Sequence, residues 1–278
     1  MPEWTPEIEV DEALARELLA SQFPQFERAT VRRIGSGWDN AAYLVEEHIV
    51  FRFPQRAAAA PLIERESRLL PLLASALPVR IPVPRYIGMP KGAYPWSFAG
   101  YEILAGVSAC TRVPNDDERR ALASDLGVFL HALHHLDPAP LREAGLPQDL
   151  IGRLDPARLK VNEEPLQGPR CIVHGDLYAR HVLLDSQKRL GAVIDWGDLH
   201  YGHAAVDLMA VHQLVPLEHH DAFFEVYGPV DERTWRFARY RACHHVRMVE
   251  RYCSVIHDPA LAGAARVAAG FLGLRPEI

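Results

Sequence analysis

Apolar residues alternate in some stretches of the chain and recur every three or four positions in others. Near the N-terminus, Leu14, Leu18 and Leu19 share one face of a helix over 11–22, with Asp11 placed to cap it. The period then falls to two, and residues 31–34, 41–45 and 49–53 read as three strands. Pro54 ends the last of them, because proline cannot donate to a ladder. A helix follows over 57–74, with Leu62, Leu69, Leu70 and Leu73 as its apolar positions. Two further strands fit 83–87 and 97–104. This part predicts a small antiparallel sheet with one inserted helix.

The pattern changes at Ala105-Gly106, which reads as a hinge. Helical periods cover 116–136, then 203–214, 217–227, 231–256 and 259–272, with short helices or loops over 142–160. Between them lie the short apolar runs 171–173, 182–184 and 192–194, the last two separated by a polar turn at 185–189. The expectation is an α+β chain in two parts, 1–104 and 105–278. No internal repeat and no low-complexity segment interrupts it.

Composition narrows the function classes. The chain has 278 residues, 49% of them hydrophobic, enough for a sizeable core. A net charge of −6 argues against a general binder of nucleic acid or anionic membrane. No apolar run approaches the ~20 residues of a membrane span. The N-terminus is acidic and lacks a basic region followed by an apolar run, so no signal peptide is expected. Cys110, Cys171, Cys243 and Cys253 are scattered, with no CxxC pair. The expected location is a reducing cytoplasm.

Candidate chemistry concentrates in 171–198. The run 171–173 delivers His174-Gly175-Asp176, and 192–194 delivers Asp195-Trp196-Gly197-Asp198. Carboxylates at two strand ends, with His181 five positions after Asp176, can face one cavity. Phosphoryl transfer needs such a set: a carboxylate to receive a hydroxyl proton, and ligands for Mg²⁺. Upstream, Gly35-Ser36-Gly37 joins two strands, where glycine would let backbone N–H groups approach phosphate. No GK[ST] follows, so it is not a Walker A loop. Arg52 lies mid-strand between Phe51 and Phe53, an odd place for a cation. His131, His134 and His135 share a helix, but without HExxH or a cysteine cluster they do not make a zinc site.

The motif HGDLYARH followed by IDWGD resembles the aminoglycoside and macrolide phosphotransferase family, relatives of the eukaryotic protein kinases. The resemblance implies a bilobal protein-kinase-like fold: a nucleotide lobe over 1–104, and a helical lobe over 105–278 with the catalytic loop and substrate pocket. It implies a cytoplasmic kinase that moves the γ-phosphate of ATP or GTP to a hydroxyl of an aminoglycoside- or macrolide-like antibiotic, giving resistance. A metabolite kinase of the same fold, or a non-catalytic nucleotide-binding protein, are its rivals.

By the same resemblance Asp176 is the catalytic base and Asp195 a Mg²⁺ ligand. His181 stands where the family usually has Asn, and is expected to ligate metal or hold a metal-bound water. Gly35, Ser36 and Gly37 position the nucleotide, and Arg52 contacts its phosphates with Glu66, or Glu64, as acidic partner. Glu102, Ile103 and Leu104 form the hinge that meets the purine through backbone groups. His174 and Asp207 brace the catalytic loop. Asp198 orients its neighbours, faces substrate or caps a turn. Glu218 and Asp221 are candidate substrate contacts, with Glu225, Glu250 and walls from Trp235, Phe237, Tyr240 and Tyr252.

Overall fold

A computed structural model describes residues 5–36, 39–112, 114–148 and 152–275. It divides into two units: Met1–Ser75 with Pro82–Leu104, and Ala76–Ile81 with Ala105–Ile278.

The first unit begins with α1 (Glu12–Gln22), whose N-cap Asp11 accepts from the Leu14 amide at 2.8 Å. Strands β1 (Val31–Ser36), β2 (Asn40–Val45) and β3 (Ile49–Pro54) precede α2 (Ala60–Leu73), then β4 (Pro84–Gly88) and β5 (Phe98–Glu102). They form one antiparallel sheet in the order β1-β2-β3-β5-β4. The alternation in β3 decides what each face holds. Phe51 and Phe53 point into an aromatic core with Tyr43, Tyr94 and Phe98, covered by Leu18 and Leu19 of α1. Arg52 points to the other face, which α2 covers and where Ile63, Ala99 and Tyr101 pack together. The helix starts at Ala60 rather than 57, because Pro61 favours the first turn and residues 56–59 are taken by a tight turn.

The second unit contains β6 (Val107–Ser108), α3 (Asp116–His134), α4 (Ala139–Glu143), α5 (Pro156–Leu159), β7 (Cys171–Val173), β8 (Val182–Leu184), β9 (Leu190–Val193), β10 (His200–Gly202), α6 (Ala205–Leu214), α7 (His220–Tyr227), α8 (Glu232–Ile256) and α9 (Pro259–Leu272). A capping box at Asn115 and Glu118 starts α3. Every residue of α6 is buried, including the polar Asp207, His212 and Gln213, and α8 and α9 pack on it. The apolar runs of 171–194 do not pair with one another as one sheet. β8 and β9 join β6, while β7 pairs with β10. Residues 76–81 fall outside the expected 1–104 part: the Arg80 amide donates to the Gly191 carbonyl, and the Val193 amide to the Arg80 carbonyl. Among the described residues no helix is long and apolar enough to cross a membrane.

Candidate active site

The loop after β7 is pinned from below by one carboxylate. Asp207, in the first turn of α6, is wholly buried and accepts from the His174 amide at 2.7 Å and the Gly175 amide at 2.9 Å. His134 of α3 adds a third donor through Nε2 at 3.4 Å, and its Nδ1 meets the Tyr227 hydroxyl at 2.8 Å. Burial pushes the Asp207 carboxyl up, but these donors outweigh it and hold it below its ordinary range. Gly175 has φ +93°, and a Cβ there would lie 2.2 Å from the Asp198 carbonyl oxygen, so only glycine fits.

His174 is locked in one neutral tautomer. Its Nε2–H donates to the Ile194 carbonyl at 3.0 Å, and its Nδ1 accepts the Asp176 amide at 3.2 Å. Burial pulls its pKa below the ordinary range, in keeping with a neutral ring. The ring therefore ties the end of β9 to the backbone of Asp176.

Asp176 keeps 29% of its side chain exposed. One oxygen, Oδ1, lies 3.4 Å from Nε2 of His245 on α8. The other, Oδ2, faces His181 at 3.7 Å. Burial pushes this carboxyl up, but the His245 hydrogen bond and the Arg241 guanidinium help to outweigh it, leaving it below the usual carboxylate range. Arg241 donates to the Gly175 carbonyl at 3.0 Å, and burial pulls its pKa down to about 10.

His181 and Asp195 make the second half of this site. His181 Nδ1–H donates to the main-chain carbonyl of Asp176 at 2.8 Å, which leaves the Nε2 lone pair 3.4 Å from Asp195 Oδ2. That tautomer suits a metal ligand, since a ligating imidazole donates its other N–H to a carbonyl or carboxylate. Asp195 is 45% exposed and sits at φ +63°, a left-handed conformation costing on the order of 1 kcal/mol. Buried Trp196 fixes the next position, donating from Nε1 to the Val193 carbonyl at 2.9 Å. Two donors, one imidazole and one carboxylate, fit Mg²⁺, which takes few protein ligands and completes its shell with phosphate and water. Among the described residues no group of three or more His, Cys, Asp or Glu could hold a metal. His131 and His135 simply stack at 4.1 Å.

In the first unit, Arg52 Nη1 reaches both Glu66 oxygens at 3.1 and 3.0 Å, and the Tyr101 hydroxyl donates to Glu66 at 3.0 Å. Glu66 is only 1% exposed, while Glu64 turns to Ser97 instead. Gly35 lies at a bulge of β1 and Ser36 ends that strand; Gly37 lies outside the described residues. Glu102 is exposed and pairs with Arg85. The Ile103 amide donates to the His48 carbonyl at 2.8 Å. Leu104 is the last residue of the unit.

Several expected substrate contacts lie elsewhere. Asp221 pairs with Arg120 on α3, about 21 Å along that helix from His134 at 1.5 Å per residue. Glu218 stands in the short turn before α7, at the same end. Trp235 packs among His212, Phe223 and Phe224, and Phe237 is fully buried. Glu250 is paired with Arg247. Asp198 does reach the loop, but its carboxylate is bound by Arg153 at 2.5 Å. Sequence reasoning passed over His245, Arg241 and Gln213. Their signal was two polar residues four apart on α8, in phase with the apolar stripe of Ala238, Ala242 and Val249.

Fold and loop geometry together define a phosphotransferase of protein-kinase-like architecture. The profile of the family described as "Phosphotransferase enzyme family" matches residues 30–163 and 140–241, and the chain belongs to that family. Solved structures share its fold. The GDP complex of aminoglycoside 2'-phosphotransferase-IIIa is 22% identical, with a TM-score of 0.73 over 95% of this chain and 99% of that one. Macrolide 2'-phosphotransferase MphH from Brachybacterium faecium is 20% identical, with a TM-score of 0.66 over 95% and 99%. The streptomycin–ATP–APH(2")-IIa ternary complex is 19% identical, with a TM-score of 0.63 over 92% and 99%.

Proposed function

We propose that the protein transfers the γ-phosphate of ATP or GTP to a hydroxyl of a small antibiotic-like molecule, and so confers resistance. One observation carries the reading: Asp176 has one oxygen held by His245 and the other turned toward His181, which in turn faces Asp195. As the acceptor oxygen bonds to phosphorus, its proton passes to Asp176 and the nucleoside diphosphate departs. His181 Nε2 and the Asp195 carboxylate would hold Mg²⁺, which when bound would offset phosphate charge. Arg52, oriented by Glu66 and Tyr101, grips phosphate oxygens. Gly35 and Ser36 present backbone amides to phosphate. The purine edge is met by backbone groups of Glu102, Ile103 and Leu104. His174 and Asp207 hold the loop in register. The GDP, ATP and antibiotic named for the structural relatives are in keeping with these assignments.

We take the surface of α8 around His244, next to His245, as the acceptor side of the loop. Burial lowers the His244 pKa, and the nearby guanidinium groups of Arg158, Arg241 and Arg251 lower it further. Such a surface repels a polycation, so a macrolide-like acceptor fits better than an aminoglycoside. The same observation favours, as a second reading, a metabolite kinase acting on a neutral or anionic alcohol. A coupled nucleotide-turnover assay with ATP and GTP, against erythromycin, kanamycin and a panel of sugars and alcohols, tests both. Turnover with erythromycin and not kanamycin is expected, and is lost in Asp176→Ala. Kanamycin as the best acceptor overturns the acceptor reading. Turnover with an alcohol alone moves the function to a metabolite kinase, and undiminished turnover in Asp176→Ala overturns the base assignment.

A further inference from the structure

His245 is a buried imidazole on α8 that contacts the proposed base. Its two nitrogens have different partners. Nε2 lies 3.4 Å from Asp176 Oδ1, and Nδ1 lies 3.2 Å from Nε2 of Gln213 on α6. The same Gln213 nitrogen lies 3.5 Å from the Ala242 carbonyl, which can only accept. That carbonyl sets the orientation of the Gln213 amide, since the reverse flip would oppose two acceptors. The amide therefore donates to His245 Nδ1. A ring nitrogen that accepts carries no proton, so the single imidazole proton is on Nε2, aimed at Asp176.

We infer that Gln213 and His245 form a positioning relay for Asp176: Gln213 sets the His245 tautomer, and neutral His245 holds Asp176 Oδ1 so that Oδ2 receives the acceptor proton. The inference rests on the reading of Asp176 as the base. A neutral donor orients the carboxylate through one oxygen and leaves the other for the acceptor proton. During transfer the acceptor O–H bond breaks as its O–P bond forms. The bond from phosphorus to the departing nucleotide breaks with its electron pair on the nucleotide. The proton ends on Oδ2, and His245 keeps its own. Tyr178 packs edge-on against His245 at 4.7 Å and restricts ring rotation. A cavity of about 20 Å³ beside the pair is walled by Val246, Val249, Leu261 and alanines of α9, and has room for about one water.

Nitrogen-15 NMR of the whole protein, without acceptor or nucleotide, reads the tautomer directly. A protonated Nε2 and bare Nδ1 at His245 are expected at pH 7.5, and Gln213→Glu should put a proton on Nδ1. An imidazolium or the opposite tautomer in the wild-type protein overturns the inference, whatever the enzyme phosphorylates. Turnover with the best acceptor of the panel gives the second arm. His245→Ala should lower kcat about 10–100-fold with nucleotide KM unchanged, and His245→Gln, which keeps a donor at the Nε2 position, should recover part of it. A glutamine variant no better than alanine, or a loss confined to nucleotide KM, overturns it. If no acceptor in the panel is turned over, the NMR result decides alone. Full turnover in Asp176→Ala would instead remove the reading beneath it.

Discussion

Asp207 and Asp176 both meet imidazole, and both ionise more readily than an isolated carboxyl despite burial, yet their surroundings are built differently. Asp207 is sealed, with two backbone amides and His134 on its oxygens. Asp176 is partly open, with one oxygen on His245 and the other left facing His181. The difference lies in how many donors each keeps. A carboxylate with both oxygens engaged holds structure in place, and one with an oxygen to spare can take a proton.

The sharpest test of that contrast is to remove the charge from each. Asp176→Asn keeps the shape and loses the base, so turnover should fall on the order of 10²–10⁴-fold while thermal unfolding stays near wild type. Asp207→Ala strands His134 and two buried amides, and should cost about 3–5 kcal/mol in urea unfolding. If Asp207→Ala leaves stability intact while Asp176→Asn unfolds the protein, the two roles are reversed.

A third region adds a pH dependence. His212 and His220 are buried against Trp235; burial pulls His212 down to about 3 and lowers His220. Their folded pKa values lie below the unfolded value of about 6.5, so the unfolded chain binds more protons below that pH. Stability from these groups is present above about pH 6.5 and lost on acidification. His212 should cost about 1.4 kcal/mol between pH 7.5 and 5.5, with a further loss from His220, measured by urea unfolding. Asp207, a depressed carboxyl, contributes its loss only at still lower pH, so unchanged stability at pH 5.5 would count against buried neutral histidines here. The smallest effect is expected at Asp221. Its ion pair with Arg120 is exposed, and Asp221→Ala should change neither turnover nor acceptor KM beyond twofold. A large rise in acceptor KM would return α7 to the substrate site.

Much of the local structure was legible in the chain. Alternation marked β3 and placed Arg52 opposite Phe51 and Phe53, and the Asp11, Asn115 and Asp231 caps mark helix starts by residue type alone. The loop residues were legible too, because His174, Asp176, His181 and Asp195 lie within a short span whose geometry is set by neighbouring strands. The α8 contribution was not. His245 lies 69 residues beyond Asp176, and a polar residue in phase with a helix's apolar stripe does not show in sequence which loop it meets. Glu218 and Asp221 misled for the same reason, since an acidic residue looks alike whether it faces a pocket or pairs with an arginine.

What the sequence by itself determined was the order of strands and helices, the places where backbone turns sharply, and which residues stand at strand ends. Those depend on neighbours a few positions away, through side-chain period, capping and the freedom of glycine. Only the tertiary structure decided which partner each charged group meets. It set Gln213 behind His245, Arg153 on Asp198 and His134 under Asp207, because helix packing brings together residues that no local pattern links.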